Sequence, residues 1–435
     1  MSKTIKQFIP VKESGGITEY RHKKNDLTVL LLENHHAPVI TFMVTYRVGS
    51  RNEAIGHTGS THLLEHLMFK GSKQFNKEGG TAIWNVLQDV GAMINATTWF
   101  DRTNYFELLP KEHLEKAMEI EADRMRGAFI KDEDRQSEMT VVINEFERGE
   151  NDPHEALDKN IWATAYQAHP YHHSTIGWRS DIENVTTERL KKFYNTFYWP
   201  NNSTISVIGD FQKDFALTLL DKHFGSIPKP SHSIPQMYTS EPPQEGPRRV
   251  MVKRAGEMPI VGLAHKTPEG VHEDTHTLQI LGRILGHGKM SRFYKRFIDS
   301  GKAADVNVWS HPLHDNGLFV TYVFLAGSIT CEEAEKGVLE EYGTIIAKDV
   351  QEKELHYAKA QIRAETAFTR DGSYSVASNL NEAIALGDWT FYTTFLEKIE
   401  RVTVNDVKRV ASKYLKEDQS TTGFFIPTSQ GPNAE

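Results

Sequence analysis

His62 and His66 stand four residues apart with Glu65 between them, inside the run Gly59-Ser-Thr-His-Leu-Leu-Glu-His-Leu-Met-Phe-Lys-Gly71. On a helix, positions i and i+4 share one face with Cβ atoms roughly 5–6 Å apart. Two imidazoles so placed can grip one metal ion. Glu65 follows His62 by three residues and reaches the same space without having to be a ligand. Leu63, Leu64, Leu67, Met68 and Phe69 surround the polar triplet, so the helix is expected to be mostly buried. A buried charge is costly unless it is paired or bound to a metal. The bland alternative is two histidines and a glutamate brought together by chance. The apolar setting weighs against it, and the order His-x-x-Glu-His is the inverse of the commoner His-Glu-x-x-His zinc motif.

A zinc ion held by two histidines normally needs a third protein ligand, often a carboxylate. Lys131–Arg148 is expected to be helical, with Met139, Val142, Ile143 and Phe146 as its apolar stripe. Glu138, Glu145, Glu147 and Glu150 flank that stripe. Glu145 and Glu147 lie on opposite shoulders, about equally far from its centre, so spacing alone leaves the choice open. The cluster His169-Pro-Tyr-His-His173 raises the question of a second metal. A loop surface is the better reading, because neighbouring loop residues do not converge by themselves.

The elements that must position these residues read as follows. Leu27–Leu32 and Val39–Tyr46 are strands, and the His62 helix spans roughly Gly59 to Phe69. A helix over Gly80–Val90 leads into a strand at Ala92–Phe100, whose antiparallel neighbour is Thr103–Leu109. Helices follow at Pro110–Phe129, Lys131–Arg148, Leu157–Gln167, Thr187–Phe197 and Phe211–Phe224, with a strand at Ser203–Ile208. Ser226–Pro247 holds six prolines and no periodicity, which marks a linker. Beyond it, strands are expected at Arg249–Lys253, Ile260–His265, Asp305–Trp309, Gly317–Leu325 and Thr421–Ile426. Helices are expected at Thr275–Leu285, Arg292–Asp299, Glu332–Ala347 and Glu352–Thr369. Thr403–Val410 echoes Thr186–Phe193, and Pro259-Ile-Val261 echoes Pro38-Val-Ile40, both offset by about 220 residues. The chain is therefore read as α+β, an internal duplication with domains at 1–225 and 248–435 joined by the linker 226–247. The second half, around Leu278–Gly286, has no His-x-x-Glu-His.

Composition bounds the function. The 435 residues suffice for two or three domains, and 39% hydrophobic residues can bury full cores. A net charge of −8 with no Lys/Arg-rich block argues against a nucleic-acid partner. The single cysteine, Cys331, excludes an internal disulfide and a cysteine-based zinc site, and fits a reducing compartment. Met1–Pro10 has no apolar signal-peptide core, and no stretch is apolar enough to span a membrane. The expected location is cytoplasmic, or periplasmic or organellar if a leader has been removed.

The chain resembles the pitrilysin/insulinase family of zinc peptidases, especially its short members. These include the catalytic β subunit of mitochondrial processing peptidase and its bacterial relatives. The likeness rests on His62–His66 with Phe69-Lys-Gly71, and on Gly91-Ala92 with Asn95-Ala96-Thr97, Asp101, Thr103 and Tyr105. It continues through Val141–Glu145, His169-Pro-Tyr171 and Gly177 to Tyr198, Pro200, Asn201 and Val207–Asp210. The resemblance implies two homologous α/β sandwich domains in a processing-peptidase-like metallohydrolase fold, with one Zn2+ per chain. It makes His62, His66 and Glu145 the zinc ligands and Glu65 the general base. Glu138, two helical turns before Glu145, matches a supporting carboxylate. It also implies that a peptide substrate binds as an added strand on a sheet edge at Ala92–Trp99, through Asn95, Ala96 and Thr97. Such binding reads mainly backbone and suits extended or unfolded peptides.

One part of the family pattern is missing. Its members usually carry an Arg and a Tyr either side of a second-half glycine. Anchored on Gly301, those positions fall on Phe297 and Ala304. Arg292, Tyr294 and Arg296 lie nearby at the wrong spacing. In two-subunit members one chain carries the zinc motif and the other the Arg/Tyr pair, so a heterodimer with a homologous subunit is expected. The competing readings are a non-catalytic assembly subunit, in which the zinc constellation would be expected to degenerate, and a precursor-processing peptidase.

Overall fold

The computed structural model describes residues 5–327, 329–348 and 350–428. Residues 1–4 of the Met1–Pro10 stretch fall outside it. The chain divides into two compact units, and neither is a contiguous half. The first comprises residues 1–144, 174–238 and 368–393; the second comprises 145–173, 239–367 and 394–435. The cut passes between Asn144 and Glu145, inside one continuous helix, Asp132–Glu150.

The first unit is built on a seven-stranded sheet. In chain order its strands are β1 (Phe8–Ser14), β2 (Ile17–His22), β3 (Thr28–Glu33), β4 (Val39–Tyr46), β5 (Met93–Thr98), β6 (Thr103–Pro110) and β7 (Ser203–Gly209). Their spatial order is β1-β2-β3-β7-β4-β6-β5. Every neighbouring pair is antiparallel except β3 with β7. The central strands β4 and β7 are buried almost throughout, which is why they read as near-continuous apolar runs. β5 lies at one edge, and its exposure alternates residue by residue.

The second unit carries β8 (Arg248–Ala255), β9 (Ile260–Glu269), β10 (Ala303–His311), β11 (Asn316–Leu325) and β12 (Ser420–Thr428), in the order β10-β11-β9-β12-β8. Only β12 with β8 is parallel. Read backwards, this order matches β3-β7-β4-β6-β5 strand for strand, with the parallel pair in the same place. The duplication seen in the sequence is therefore a duplication of topology. The echo of Thr186 by Thr403 also has a local cause. Each threonine side chain caps the helix that precedes the parallel strand, accepting from Arg189 N and Asp406 N respectively.

The compact units cut across the expected domains because each sheet is covered by a helix from the other half of the sequence. Helix Ser373–Leu386 lies on β4 and β7, where Val376, Ala377, Leu380 and Ile384 join Leu30, Met43 and Ile208 in one core. Thr41 and Thr45 donate hydroxyl bonds to Ser373 Oγ (2.9 Å) and Asn381 Oδ1 (2.8 Å). Helix Pro153–Ala165 lies on β8, β9 and β12. There Gly262 and Gly423 face each other across the two strands. A Cβ on either would strike Ile161, at 2.3 Å and 2.7 Å. The glycine pair is the trough that seats this helix.

Other departures have physical reasons. The β1–β2 hairpin escapes hydrophobic patterning because β1 is an exposed edge. Its only sequence signal is Gly15-Gly16, both at positive φ in the two-residue turn. The expected Gly80–Val90 helix is only Ile83–Gln88, and Pro110–Phe129 becomes a 3-10 turn followed by Leu114–Gly127. Arg292–Asp299 holds a π-helical turn, Tyr294–Ile298. The helices Ser373–Leu386 and Thr390–Arg401 were not anticipated. Among the described residues no helix is long and apolar enough to cross a membrane.

Within the second unit, Asp274 opens helix Asp274–Gly286 with its side chain fully buried. Burial raises its pKa, but bonds from Lys413 (2.9 Å), Tyr414 (2.8 Å) and Arg409 (2.7 Å) outweigh this and hold it at about 2. A depressed carboxylate stabilises the fold above its unfolded pKa, and that contribution is lost as pH falls through the folded value. Between about pH 4 and pH 2 the loss is expected to be about 1–2 kcal/mol, after discounting for the half-exposed cationic partners. Asp274→Asn should lower the urea midpoint at pH 7 and flatten this part of the acid limb. An unchanged acid limb would show that the cluster contributes nothing.

Candidate functional site

The histidine pair rides on helix Ser60–Leu67, and its position is set at both ends. Leu63, Leu64, Leu67 and Met68 are buried and fix the rotation. At the N-terminus Gly59 sits at φ +83, where a Cβ would meet Ile176 O at 2.3 Å. The buried Glu53 carboxyl group, whose pKa burial raises to about 8, accepts from Gly59 N (2.8 Å) and Thr61 N (2.7 Å), taking two of the amides a helix start leaves unpaired. Asp181 does the same for the approach, accepting from Gly56 N, Thr58 N and Thr58 Oγ1.

The imidazoles of His62 and His66 lie edge to face with centroids 4.9 Å apart. Burial, with the neighbouring His66, lowers the His62 pKa to about 4. The ring is therefore neutral at ordinary pH, the form that can ligate a metal. One ligand atom each from His62, His66 and Glu145 lie within 4.8 Å of one another. A three-point donor set of two imidazoles and a carboxylate at this separation fits a single small cation.

On helix Asp132–Glu150 the two shoulders differ in burial. Glu138, Val142 and Phe146 face inward, Glu145 is half-buried beside them, and Glu147 is exposed. Glu138 Oε2 meets His66 Nδ1 at 2.9 Å, and its other oxygen pairs with Lys70. Burial raises the Glu138 pKa, but the bonds from Lys70 and His66 outweigh this and lower it, so the carboxylate is ionised and orients His66. Glu65 is buried and accepts a hydrogen bond from Thr98 Oγ1 on β5.

Among the described residues β5 pairs only with β6, which leaves its other side as a free edge. Ala96 lies opposite Tyr105 in the register, and Asn95 Oδ1 accepts from Ala96 N at 2.9 Å. Thr97 bonds to Asn104, and Arg102 donates to Thr97 O (3.1 Å) and pairs with Glu382. Side chains of the neighbouring turn and strand thus tie the edge down, with Asn95 and Thr97 exposed.

The expected residues His62, Glu65, His66, Glu138 and Glu145 come together, with Asn95, Ala96 and Thr97 on the adjoining edge strand. The His169–His173 cluster does not add a centre. His169 is tied to Asp315 (3.0 Å), and these histidines join no metal-capable group among the described residues. A second group of donors, Glu115, Glu119 and His223, is already engaged by Lys222 and Lys116. Phe297 is buried in the core of the second unit, and Ala304 is exposed. Arg292 is committed to Glu341 and Glu354, and Arg296 to Glu340.

Sequence reasoning missed Thr98, Lys70 and Glu53. Lys70 had a signal, since it follows His66 by four residues. Thr98 and Glu53 had none, because their partners are distant in sequence or are backbone amides.

The family model for the insulinase peptidases (peptidase family M16) matches residues 28–178, and the model for the peptidase M16 inactive domain matches 184–362. The chain is 33% identical to zinc protease PqqE of Helicobacter pylori over 97% of this chain and 94% of that protein. It is 25% identical to the probable mitochondrial-processing peptidase subunit beta of Schizosaccharomyces pombe, over 92% and 89%. A crystal structure of a protease from Helicobacter pylori superposes with a TM-score of 0.89 at 31% identity, covering 96% of this chain and all of the other. With a relative this similar over nearly its whole length, the chain belongs to the insulinase (M16) family of peptidases.

Proposed function

We propose that this chain is a zinc-dependent endopeptidase acting on extended peptides. The observation that carries the reading is the convergence of His62, His66 and Glu145 donor atoms within 4.8 Å, with Glu65 buried on the same helix turn. His62, His66 and Glu145 would hold one Zn2+ per chain. A bound zinc ion supplies Lewis-acid polarisation of a peptide carbonyl and acidifies water. Glu65 takes the proton of the attacking water and returns it to the departing amine. Glu138 orients His66 through Nδ1, and Lys70 keeps Glu138 charged. The peptide adds to the free edge of β5, where Asn95, Ala96 and Thr97 meet its backbone.

The reading extends to a two-subunit enzyme. Phe297 and Ala304 cannot supply an Arg and a Tyr, and the nearby arginines are held in ion pairs, so a homologous subunit carrying that pair would complete the enzyme. Metal content and cleavage of an internally quenched, unstructured peptide test the proposal together. Glu145→Gln is expected to lose stoichiometric zinc, with affinity lowered about a hundredfold or more, while Glu147→Gln keeps it. The reverse result would overturn the ligand set. Chelator-sensitive cleavage should appear on mixing with the homologous subunit. Full activity from the chain alone would discard the second subunit and keep the chemistry. Silence in every mixture, with zinc bound, would discard the peptidase.

A further inference from the structure

Beside Glu65 and His66 the first unit holds a cavity of about 300 Å³, room for one large side chain. Phe69 and Trp84 stack along it at 5.3 Å with an interplanar angle of 29°, and Trp84 is 41% exposed. Two lysines line it. Lys70 is committed to Glu138. Lys77, from the loop before the Ile83–Gln88 helix, makes no ion pair among the described residues. A surface lysine is usually just solvated. This one lines a concave volume together with an open aromatic wall and Asn95 of the edge strand. The two carboxylates that share the lining are already engaged, Glu138 by Lys70 and His66 and Glu65 by Thr98.

We infer that this cavity receives a side chain of the bound peptide and that Lys77 makes it select an acidic one, with the Phe69–Trp84 wall packing the stem. The inference rests on the peptidase reading and adds to it a substrate class, peptides carrying Glu or Asp close to the scissile bond. At a partly open site a single opposite charge within about 4 Å is worth on the order of a tenfold preference at low salt.

The test uses the full chain with Glu65→Gln, loaded with zinc, so that binding is read without turnover. The probes are fluorescein-labelled, unstructured decapeptides in which one residue is Glu, Gln or Lys, walked along the peptide. Anisotropy should show one position where Glu binds about tenfold tighter than Lys, and the ratio should shrink as salt rises. Adding Lys77→Glu should invert the ratio at that position. Trp84→Ala should weaken all three peptides there alike, which separates packing from charge. The same peptides are then cleaved by the wild-type enzyme with its homologous subunit, where the preference should appear in KM. Cleavage with no charge preference at any position, or a preference that Lys77→Glu leaves intact, overturns the inference and leaves the peptidase standing. Absence of both binding and cleavage overturns the two together.

Discussion

Glu65→Gln is expected to lower kcat/KM for a quenched peptide by about 10³–10⁴-fold while zinc stays bound. General acid–base catalysis typically contributes about 10²–10⁴-fold, and here one carboxylate would serve both the water and the leaving amine. The amide keeps the size and hydrogen-bonding reach that fill the buried space next to Thr98. It cannot take a proton at working pH. Because Glu65 lies outside the donor set of His62, His66 and Glu145, metal content should match wild type. Loss of zinc along with activity would mean that Glu65 is itself a ligand. Retained activity would mean that another group moves the proton.

The second large effect concerns stability beneath the site. Arg124, Glu107 and Glu121 all have fully buried side chains. Arg124 Nε donates to Glu121 Oε2 at 2.8 Å, and its guanidinium lies 3.6 Å from Glu107. The same guanidinium sits 4.3 Å from the Tyr105 ring centre and 5.1 Å from that of Phe69. It therefore supports both the strand that carries Ala96's partner and the end of the histidine helix. Removing one member of a buried ionic group costs about 3–5 kcal/mol, because its partners are left unpaired. Arg124→Met is expected to cost this much, read as a fall in the urea midpoint with an unchanged slope. The three members are not equivalent. Burial, with Glu121 beside it, holds the Glu107 carboxyl well above its ordinary range. Glu107→Gln therefore mimics the protonated acid and should cost little, whereas Glu121→Gln breaks the strong pair. An Arg124→Met chain as stable as wild type, or a Glu107→Gln chain as damaged as Arg124→Met, would refute the arrangement.

The parts of this molecule that were legible in its sequence are those where local period and burial coincide. β4 and helix Thr187–Phe197 have the boundaries expected of them, the strand because it is buried almost end to end and the helix because it buries one apolar face. The metal-capable turn was legible for the same reason, since helical spacing alone brings His62 and His66 together. The third donor was not. Glu145 and Glu147 differ only in which shoulder of one helix meets the rest of the protein, and a one-dimensional pattern does not hold that information; the family resemblance supplied it. The edge strand β1 was invisible because it is exposed on both faces and has no burial to impose alternation, and the buried positions of β2 include Thr18, Glu19 and His22, which carry no apolar pattern. The covering helices were hidden for a further reason. Gly262 and Gly423 are 161 positions apart, yet together they form the seat of a helix that lies nearly a hundred residues before the first of them.

That borrowing of helices bears on how such a chain can be divided or have arisen. A fragment ending at the proline-rich linker would keep β4 and β7 but lack Ser373–Leu386, leaving Met43, Ile208 and Leu30 bare to water. The complementary fragment would present an empty glycine trough. Neither fragment is expected to fold by itself, although a sequence repeat invites cutting there. An ancestral half-length chain of this design could have hidden its core only by lending its helix to a second copy and taking one in return. Gene fusion would then have converted an exchange between two molecules into one within a single chain, after which either half was free to lose its metal site.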